Sequence, residues 1–133
     1  MRLEDLYRVR FSYPESWVVE LEGGWEQHLM IAEGRCEGQV SGRFRGVNFP
    51  QRRTPSGPFR PDFRAVIDTD DGATIMVEWH GYGRAYPAGR RQVVGSVLHL
   101  VTARSTAAST TSSACASARF ARRTVLLSRV LIW

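Results

Sequence analysis

Residues 63–85, FRAVIDTDDGATIMVEWHGYGRA, have the sequence pattern of a β-hairpin. Two apolar segments flank the tripeptide DDG at residues 70–72, and an Asp-Gly pair in this position is a strong signal for a β-hairpin turn. After the turn, Ile75, Val77 and Trp79 alternate with more polar residues. A period of two is what a strand with one buried face requires. We therefore predict an antiparallel hairpin here.

Alternation with the same period extends on both sides of the hairpin. Residues 36–46, CEGQVSGRFRG, are predicted to form one half-buried strand, whose repeated glycines allow the bending that a barrel needs. Residues 91–102, RQVVGSVLHLVT, are predicted to form a long strand that is apolar on nearly both faces. A further apolar face consists of Tyr7, Val9, Phe11 and Tyr13.

Helical periodicity is missing from residues 1–102. The proline-rich segment FPQRRTPSGPFRPDF, residues 49–63, is expected to be a connection between strands. The predicted fold is all-β and antiparallel: a small β-barrel, closed or nearly closed, with a non-barrel, low-complexity C-terminal tail. Its predicted boundaries are 1–102 for the barrel domain and 103–133 for the tail.

Charge is distributed unevenly along the 133 residues. Residues 1–102 contain 13 arginines and 13 acidic residues, so the whole net charge of +5 lies in residues 103–133. A basic face is the usual footprint of a nucleic-acid-binding domain, and the part of the chain with strand patterning lacks this excess. We therefore do not expect nucleic acid as a partner.

Length and composition fit one domain with an ordinary core. No apolar run is long enough to span a bilayer, and residues 1–11 carry acids where a signal peptide needs its apolar region. The cytoplasm is therefore the expected location. Cys36 and Cys115 lack the spacing of metal ligands and are expected to be free thiols.

The strand after the turn carries the candidate catalytic residues. Glu78, His80 and Tyr82 share one face, and a glutamate and a histidine so placed suit general acid–base chemistry. If the barrel encloses a ligand cavity, these side chains line it. If the face points to water, they are its polar surface, which is the commoner arrangement in antiparallel sheets.

Three further residues are candidate ligand-binding groups. Trp79 would pack beside a ligand, and Arg84 would pair with a carboxylate or enolate. His99 lies in an otherwise apolar strand, where a histidine is more often a hydrogen-bonded core residue than a catalyst. If the site is real, substituting His80 and His99 by alanine should alter ligand binding.

The aspartates of the turn invite comparison with a calcium loop. The EF-hand pattern needs a glutamate at its twelfth position, which is Trp79 when counted from Asp68, and it needs a helix on each side. Turn chemistry accounts for the aspartates, because Asp tolerates left-handed backbone and bonds nearby amides. We expect neither a metal nor a cofactor.

Residues 34–87, from GRCEGQVSGRFRG through TDDGA to GYGRAYP, resemble the bacterial family known as domain of unknown function 3237. The resemblance covers residues 4–102 and is most specific around TDDGA. It implies a small antiparallel barrel, calycin-like or similar to allene oxide cyclase. The family has no assigned activity, so no catalytic residues carry over. Because related barrels hold small apolar molecules, the resemblance also implies a small-molecule ligand.

The alternation of apolar and polar residues stops after Thr102. Fourteen of the sixteen residues from 103 to 118 are Ala, Ser or Thr, so the barrel is expected to lack its closing strands. One hypothesis is a reading-frame slip near codon 102, because a shifted frame turns TCN serine codons into codons for Phe, Leu, Ile or Val. The alternative takes residues 118–133 as a basic amphipathic helix that covers the sheet or lies on a membrane. We do not favour membrane contact.

Two classes of function fit these observations. The first is a barrel that binds a small apolar or amphipathic molecule, with or without isomerase- or cyclase-like acid–base chemistry. The second is a non-catalytic protein-interaction domain that uses a sheet edge or the Pro/Arg-rich loop. A polar-lined cavity would favour the first and a packed apolar interior the second. The sequence determines neither the substrate nor the oligomeric state.

Overall fold

The computed structural model describes residues 6–53, 57–85, 91–101, 113–121 and 124–132, the last two segments as backbone. These residues form strands joined by turns, with one 3-10 turn at Glu22–Gly24. The all-β prediction is therefore confirmed. The strands are β1 (Tyr7–Leu21), β2 (Trp25–Gly38), β3 (Gly42–Asn48), β4 (Gln51–Arg52), β5 (Phe59–Arg60), β6 (Asp62–Thr69), β7 (Thr74–Ala85), β8 (Arg91–Val101), β9 (Ser113–Ala121) and β10 (Thr124–Ile132).

Antiparallel pairing closes the sheet on itself. Starting at β1, the neighbours in the ring are β2, β3, β6, β7, β8, β9 and β10, and β10 pairs again with β1. The ring is uneven, because the short strands β4 and β5 bridge β2 to β7 and make a smaller ring of six strands at that side. The predicted closed antiparallel barrel is confirmed.

Aromatic side chains fill the barrel interior. Phe63 lies at the centre, with its ring centroid 5.4 Å from those of Phe11 and Trp79. Phe44 packs against Phe11 at 5.4 Å, and all four side chains are buried. Each such aromatic pair contributes about 0.5–1.5 kcal/mol beyond the area it buries. The middle of the barrel is a packed core.

The hairpin predicted from residues 63–85 is present. β6 and β7 pair from Asp62 opposite His80 to Asp68 opposite Thr74. Gly72 has φ 85°, a left-handed conformation that glycine adopts at little cost, and the Thr69 amide donates to the carbonyl of Ala73. The Asp-Gly signal therefore marks the turn correctly.

The single strand predicted over residues 36–46 is wrong. β2 ends at Gly38, a turn occupies residues 39–41, and β3 starts at Gly42. Cys36 pairs with Gly42, and every pair along this hairpin joins residues of the same parity. Inward positions are therefore even-numbered on both sides of the turn. That parity makes a hairpin look like one uninterrupted strand in the sequence.

The proline-rich connection predicted over residues 49–63 contains two short strands. β4 and β5 pair with each other, and β4 also pairs with β2. Each is two residues long, which is consistent with the missing amide donors of the surrounding prolines. Residues 54–56 of this connection lie outside the described residues.

The structure differs from the prediction in the tail. Residues 113–121 and 124–132 form β9 and β10, which pair with β8 and β1 and complete the ring. They are strands and not the alternative amphipathic helix. Strand pairing uses backbone amides and carbonyls, so the open edge of β8 can pair with β9, SACASARFA, although this sequence lacks apolar alternation. β10, TVLLSRVLI, is itself rich in apolar and β-branched residues. Residues 102–112, 122–123 and 133 lie outside the described residues.

In the described part of the chain, no helix has the length and apolarity that crossing a membrane requires.

Candidate functional site

The six candidate residues lie on two faces of the barrel wall. Along β7, odd-numbered side chains point inward and even-numbered ones outward, so Glu78, His80, Tyr82 and Arg84 lie on the outer face. Trp79 and His99 are buried in the interior. The structure therefore does not bring all six together in one cavity.

Glu78 belongs to the ion pairs of the outer face. Its Oε1 lies 3.2 Å from Nη1 of Arg64 on β6. Asp68 and Asp70 likewise pair with Arg45 and Arg35, so the aspartates around the turn neutralise arginines of neighbouring strands. Exposed pairs of this kind contribute about 0–1 kcal/mol each.

Three polar residues form a row across three strands. Asp62 on β6 is directly opposite His80 on β7, and His80 is directly opposite Ser96 on β8. Directly opposite residues in an antiparallel sheet point to the same face, with Cβ atoms about 4.5–5.5 Å apart. The row places an acid, an imidazole and a hydroxyl side by side on the outer wall.

Asp62 and His80 form the chemically distinctive part of this row. Nδ1 of His80 lies 3.3 Å from Oδ1 of Asp62, which is ion-pair distance without hydrogen-bond alignment. That oxygen is buried from solvent and has no hydrogen-bond partner in the described part of the chain. A buried acceptor without a donor is costly, and turning the half-exposed imidazole towards it would satisfy it. A carboxylate that orients an imidazole through Nδ1 leaves Nε2 available for proton transfer.

An open groove of about 560 Å³ surrounds His80. Its floor is the row of polar residues, and its rim includes two aromatic rings that are largely exposed. Arg60 lies at the rim with its guanidinium carbon 5.7 Å from the ring centroid of Tyr82, a cation–π arrangement. Its lining includes Phe49, Arg60, Asp62, His80, Tyr82 and Ser96.

Arg84 does not line the groove. Its Nη2 lies 3.4 Å from Oε1 of Gln92 on β8, further along the same outer face. Arg60 was not a candidate in the sequence, because it lies in the proline-rich connection, where side-chain direction cannot be inferred from alternation. Asp62 was missed for the same reason, and Ser96 because one serine in an apolar strand carries no signal.

His99 makes one strong contact inside the barrel. Its Nε2 lies 2.6 Å from the hydroxyl oxygen of Tyr7, and the rings meet edge to face. Nδ1 has no hydrogen-bond partner among the described residues. Burial lowers the pKa of His99 and raises that of Tyr7, so both groups are neutral near pH 7. His99 is therefore a buried core histidine with one of its two ring nitrogens hydrogen-bonded among the described residues.

Trp79 and Cys36 complete the interior. Trp79 packs against Phe63, and its Nε1 has no partner in the described part of the chain. Cys36 is a free, buried thiol, as expected, and burial raises its pKa to about 12. A thiol held protonated is a poor nucleophile. The side chain of Cys115 lies outside the described residues.

No metal-binding cluster of three His, Cys, Asp or Glu side chains occurs in the described ranges.

Comparison with known proteins identifies the fold alone. Neither a protein-family model nor a curated protein matches the chain. Among solved structures, it is similar to a β-barrel-like protein from Acinetobacter baumannii AYE, with a TM-score of 0.84 and 16% identity over 99% of this chain and 96% of that one. A conserved protein of unknown function from Rhodopseudomonas palustris gives 0.79 and 15% identity over 100% and 99% of the two chains.

A third similar structure is a protein of unknown function from Clostridium acetobutylicum ATCC 824, with a TM-score of 0.78 and 17% identity over 99% of each chain. These likenesses extend over nearly the whole chain. They support an uncharacterised β-barrel-like protein.

Proposed function

We propose that this barrel binds a small amphipathic anion in the outer groove and that His80 moves a proton on the bound molecule. The observation that carries the proposal is the buried oxygen of Asp62 beside Nδ1 of His80, at the floor of an open groove. A carboxylate behind an imidazole fixes the tautomer and leaves Nε2 as a base. The packed apolar interior is the feature expected of an interaction domain, so a ligand-binding function can rest only on the outer groove.

The ligand's charge follows from Arg60. Its guanidinium stands over Tyr82, and no carboxylate pairs with it in the described part of the chain. An arginine at the rim of a groove is well suited to a carboxylate, which it can bind through two parallel hydrogen bonds. We therefore assign to Arg60 the anion-binding role that the sequence suggested for Arg84.

The ligand's apolar part follows from Phe49 and Tyr82. Their side chains are 47% and 66% exposed, respectively, and both border the groove. Aromatic faces at the rim favour a ligand with a ring or a short apolar chain. An aromatic or aliphatic carboxylic acid meets both requirements.

The chemistry is a proton shift. Nε2 of His80 takes a proton from a carbon next to a carbonyl group, and the electron pair of the broken C–H bond moves to the carbonyl oxygen as an enolate. Arg60 stabilises the negative charge, and His80 returns the proton to oxygen or to carbon. No bond to the protein forms, and nothing is oxidised or reduced. This is the isomerase-like chemistry that the sequence left open.

The test uses phenylpyruvate, which combines a carboxylate, an aromatic ring and an acidic C–H next to a carbonyl. Proton NMR in D₂O follows deuterium entry at its benzylic carbon, with and without the protein. We expect acceleration by the wild type, loss of it in His80→Gln, and a reduction of about 10²-fold in Asp62→Asn. The control Arg64→Gln changes an exposed charged side chain of the same outer face outside the groove and should exchange at the wild-type rate. Equal exchange in wild type and His80→Gln would refute the catalytic role.

A second candidate function rests on a separate observation. Residues 15–21 of β1 extend past the pairing with β10, so one edge of this segment has no partner strand in the described residues, and it carries the exposed apolar side chains Trp17, Val18 and Val19. An open edge of this kind favours interaction with another protein chain.

A further inference from the structure

The hairpin of β1 and β2 continues past the end of β10 as a segment that we call the arm, residues 15–31, whose β2 side also pairs with β3 and β4. On one side, Glu15–Leu21 of β1 pair with Trp25–Ile31 of β2. On the other side, β10 reaches only Arg8–Phe11, and no strand in the described part of the chain pairs with residues 15–21. This leaves a seven-residue strand edge whose outward backbone groups are open to another strand.

The side chains of the arm are unusually apolar for a surface. Trp17, Val18 and Val19 are each more than half exposed. Trp17, Val19 and Leu21 share one face, and opposite them on β2 lie Leu29, the polar Gln27 and Trp25. Monomeric proteins rarely expose contiguous apolar surface of this kind unless it binds something. Residues 15–21 also lack the proline and lysine that commonly protect an edge strand.

The arm is fixed to the barrel and does not need to fold on binding. Glu26, close to the turn at its tip, accepts hydrogen bonds from Arg52 on β4 and from the buried His28. These two bonds lower the pKa of Glu26, with Arg52 the larger cause, so the carboxylate is charged at neutral pH. Gln27 donates to the carbonyl oxygens of Phe49 and Pro50. An edge held in place in this way loses little entropy when it pairs.

We propose that the open edge of β1 pairs antiparallel with the same edge of a second copy of this chain, with the two-fold axis at Val18. The inference is independent of the groove and its ligand. For the second candidate function, the partner is then another copy of this chain.

The sequence of the edge, ESWVVEL, supports a second copy as the partner. In the proposed register Val18 faces Val18, Trp17 faces Val19, and Ser16 faces Glu20. Each glutamate meets a neutral residue, so no like charges are opposed. The two Trp–Val contacts are aromatic to β-branched pairs, which stabilise antiparallel strands.

Registers shifted by one or two residues pair the two β1 edges less favourably. A shift by one residue places the Trp17, Val19 and Leu21 faces of the two copies on opposite sides of the joined sheet, because side chains alternate with period two. A shift by two keeps the faces together but leaves two residues of each edge unpaired. In the proposed register all seven residues pair, and the apolar faces merge into one surface.

The test is sedimentation equilibrium of the full chain over a range of concentrations, with a matched pair of variants at Ser16. Ser16 faces Glu20 of the other copy in the proposed register and Met30 within its own hairpin. Ser16→Lys creates two symmetric attractive pairs and Ser16→Asp two repulsive ones. We expect a dimer whose dissociation constant is about tenfold lower in Ser16→Lys than in Ser16→Asp. A monomer at every concentration would overturn the proposal, and equal dissociation constants would overturn the register.

A cross-linking experiment checks the same register directly. In a Cys115→Ser background, Val18→Cys places two thiols opposite each other across the two-fold axis, and mild oxidation should join the copies. The control Glu22→Cys lies in the turn beyond the paired edge and should cross-link far less. Equal cross-linking at the two positions contradicts a two-fold axis at Val18. Deuterium exchange of phenylpyruvate remains a separate measurement, so the failure of one proposal does not affect the other.

Discussion

At the scale of single residues, the buried His99 makes the free energy of unfolding depend on pH. Burial lowers its pKa, so the folded protein resists protonation of a ring that the unfolded chain protonates near pH 6.5. As the pH falls below about 6.5, the unfolded state gains a proton that the folded state does not, and the free energy of unfolding decreases. We expect urea unfolding to show lower stability at pH 5 than at pH 7. His99→Asn, which removes the titrating group, should have a flatter dependence; an unchanged slope would contradict this role.

A second prediction at this scale concerns Gly95. A Cβ built at this position would lie 2.2 Å from the backbone oxygen of His80 and 2.6 Å from Nε1 of Trp79. Gly95→Ala should therefore lower the free energy of unfolding by about 1–3 kcal/mol, because neither the β7 backbone nor the packed indole can withdraw. The exposed neighbour offers the control Ser96→Ala, which should change stability little. Thermal unfolding of the two variants measures the difference.

At the scale of elements, the turn between β6 and β7 depends on Gly72. Its φ of 85° strains any residue with a Cβ, so Gly72→Ala should cost about 1 kcal/mol in chemical denaturation. Gly72→Asn should cost less, because asparagine tolerates left-handed backbone. If the two variants are equally stable, backbone conformation does not determine this turn.

The sequence predicts those elements whose signal is local. The DDG turn and the alternation around it predict the β6–β7 hairpin. The valine-rich apolar run predicts β8. The groove is not found, because Arg60, Asp62 and Ser96 come from three segments that only the closed sheet brings together. Alternation assigns Glu78, His80 and Tyr82 to one face but cannot say whether that face is inside. The sequence does not show where β2 ends, because the inward-facing residues are even-numbered both before and after the turn.

At the scale of the whole molecule, closure of the ring depends on β9, whose sequence lacks apolar alternation, and on β10, which is apolar but follows the Ala/Ser/Thr-rich segment. β9 and β10 cover the edges of β8 and β1, and their backbone pairing needs no apolar alternation. The reading-frame hypothesis stays a prediction, and the nucleotide sequence across codons 98–133, read in all three frames, tests it.

Deleting residues 102–133 separates the two views of the tail. If β9 and β10 close the barrel, the deletion exposes two edges and the core beside them, and cooperative unfolding should be lost. Strong binding of the dye ANS would accompany that loss. A truncated chain that unfolds as cooperatively as the full chain, at the same midpoint, would show that the tail contributes nothing to the barrel.

Calorimetric titration with 3-phenylpropanoate tests whether the groove binds an anion. This molecule is an aromatic carboxylate that cannot undergo the proton shift. If the groove is an anion site, 3-phenylpropanoate should bind to the wild type. Its affinity should be about tenfold weaker, or weaker still, in Arg60→Gln, because a charged hydrogen-bonded pair is lost. Arg64→Gln removes the same charge from the same face outside the groove and should leave the affinity unchanged. Equal affinities of the two variants, or no binding to the wild type, would contradict the assignment of the groove as an anion site.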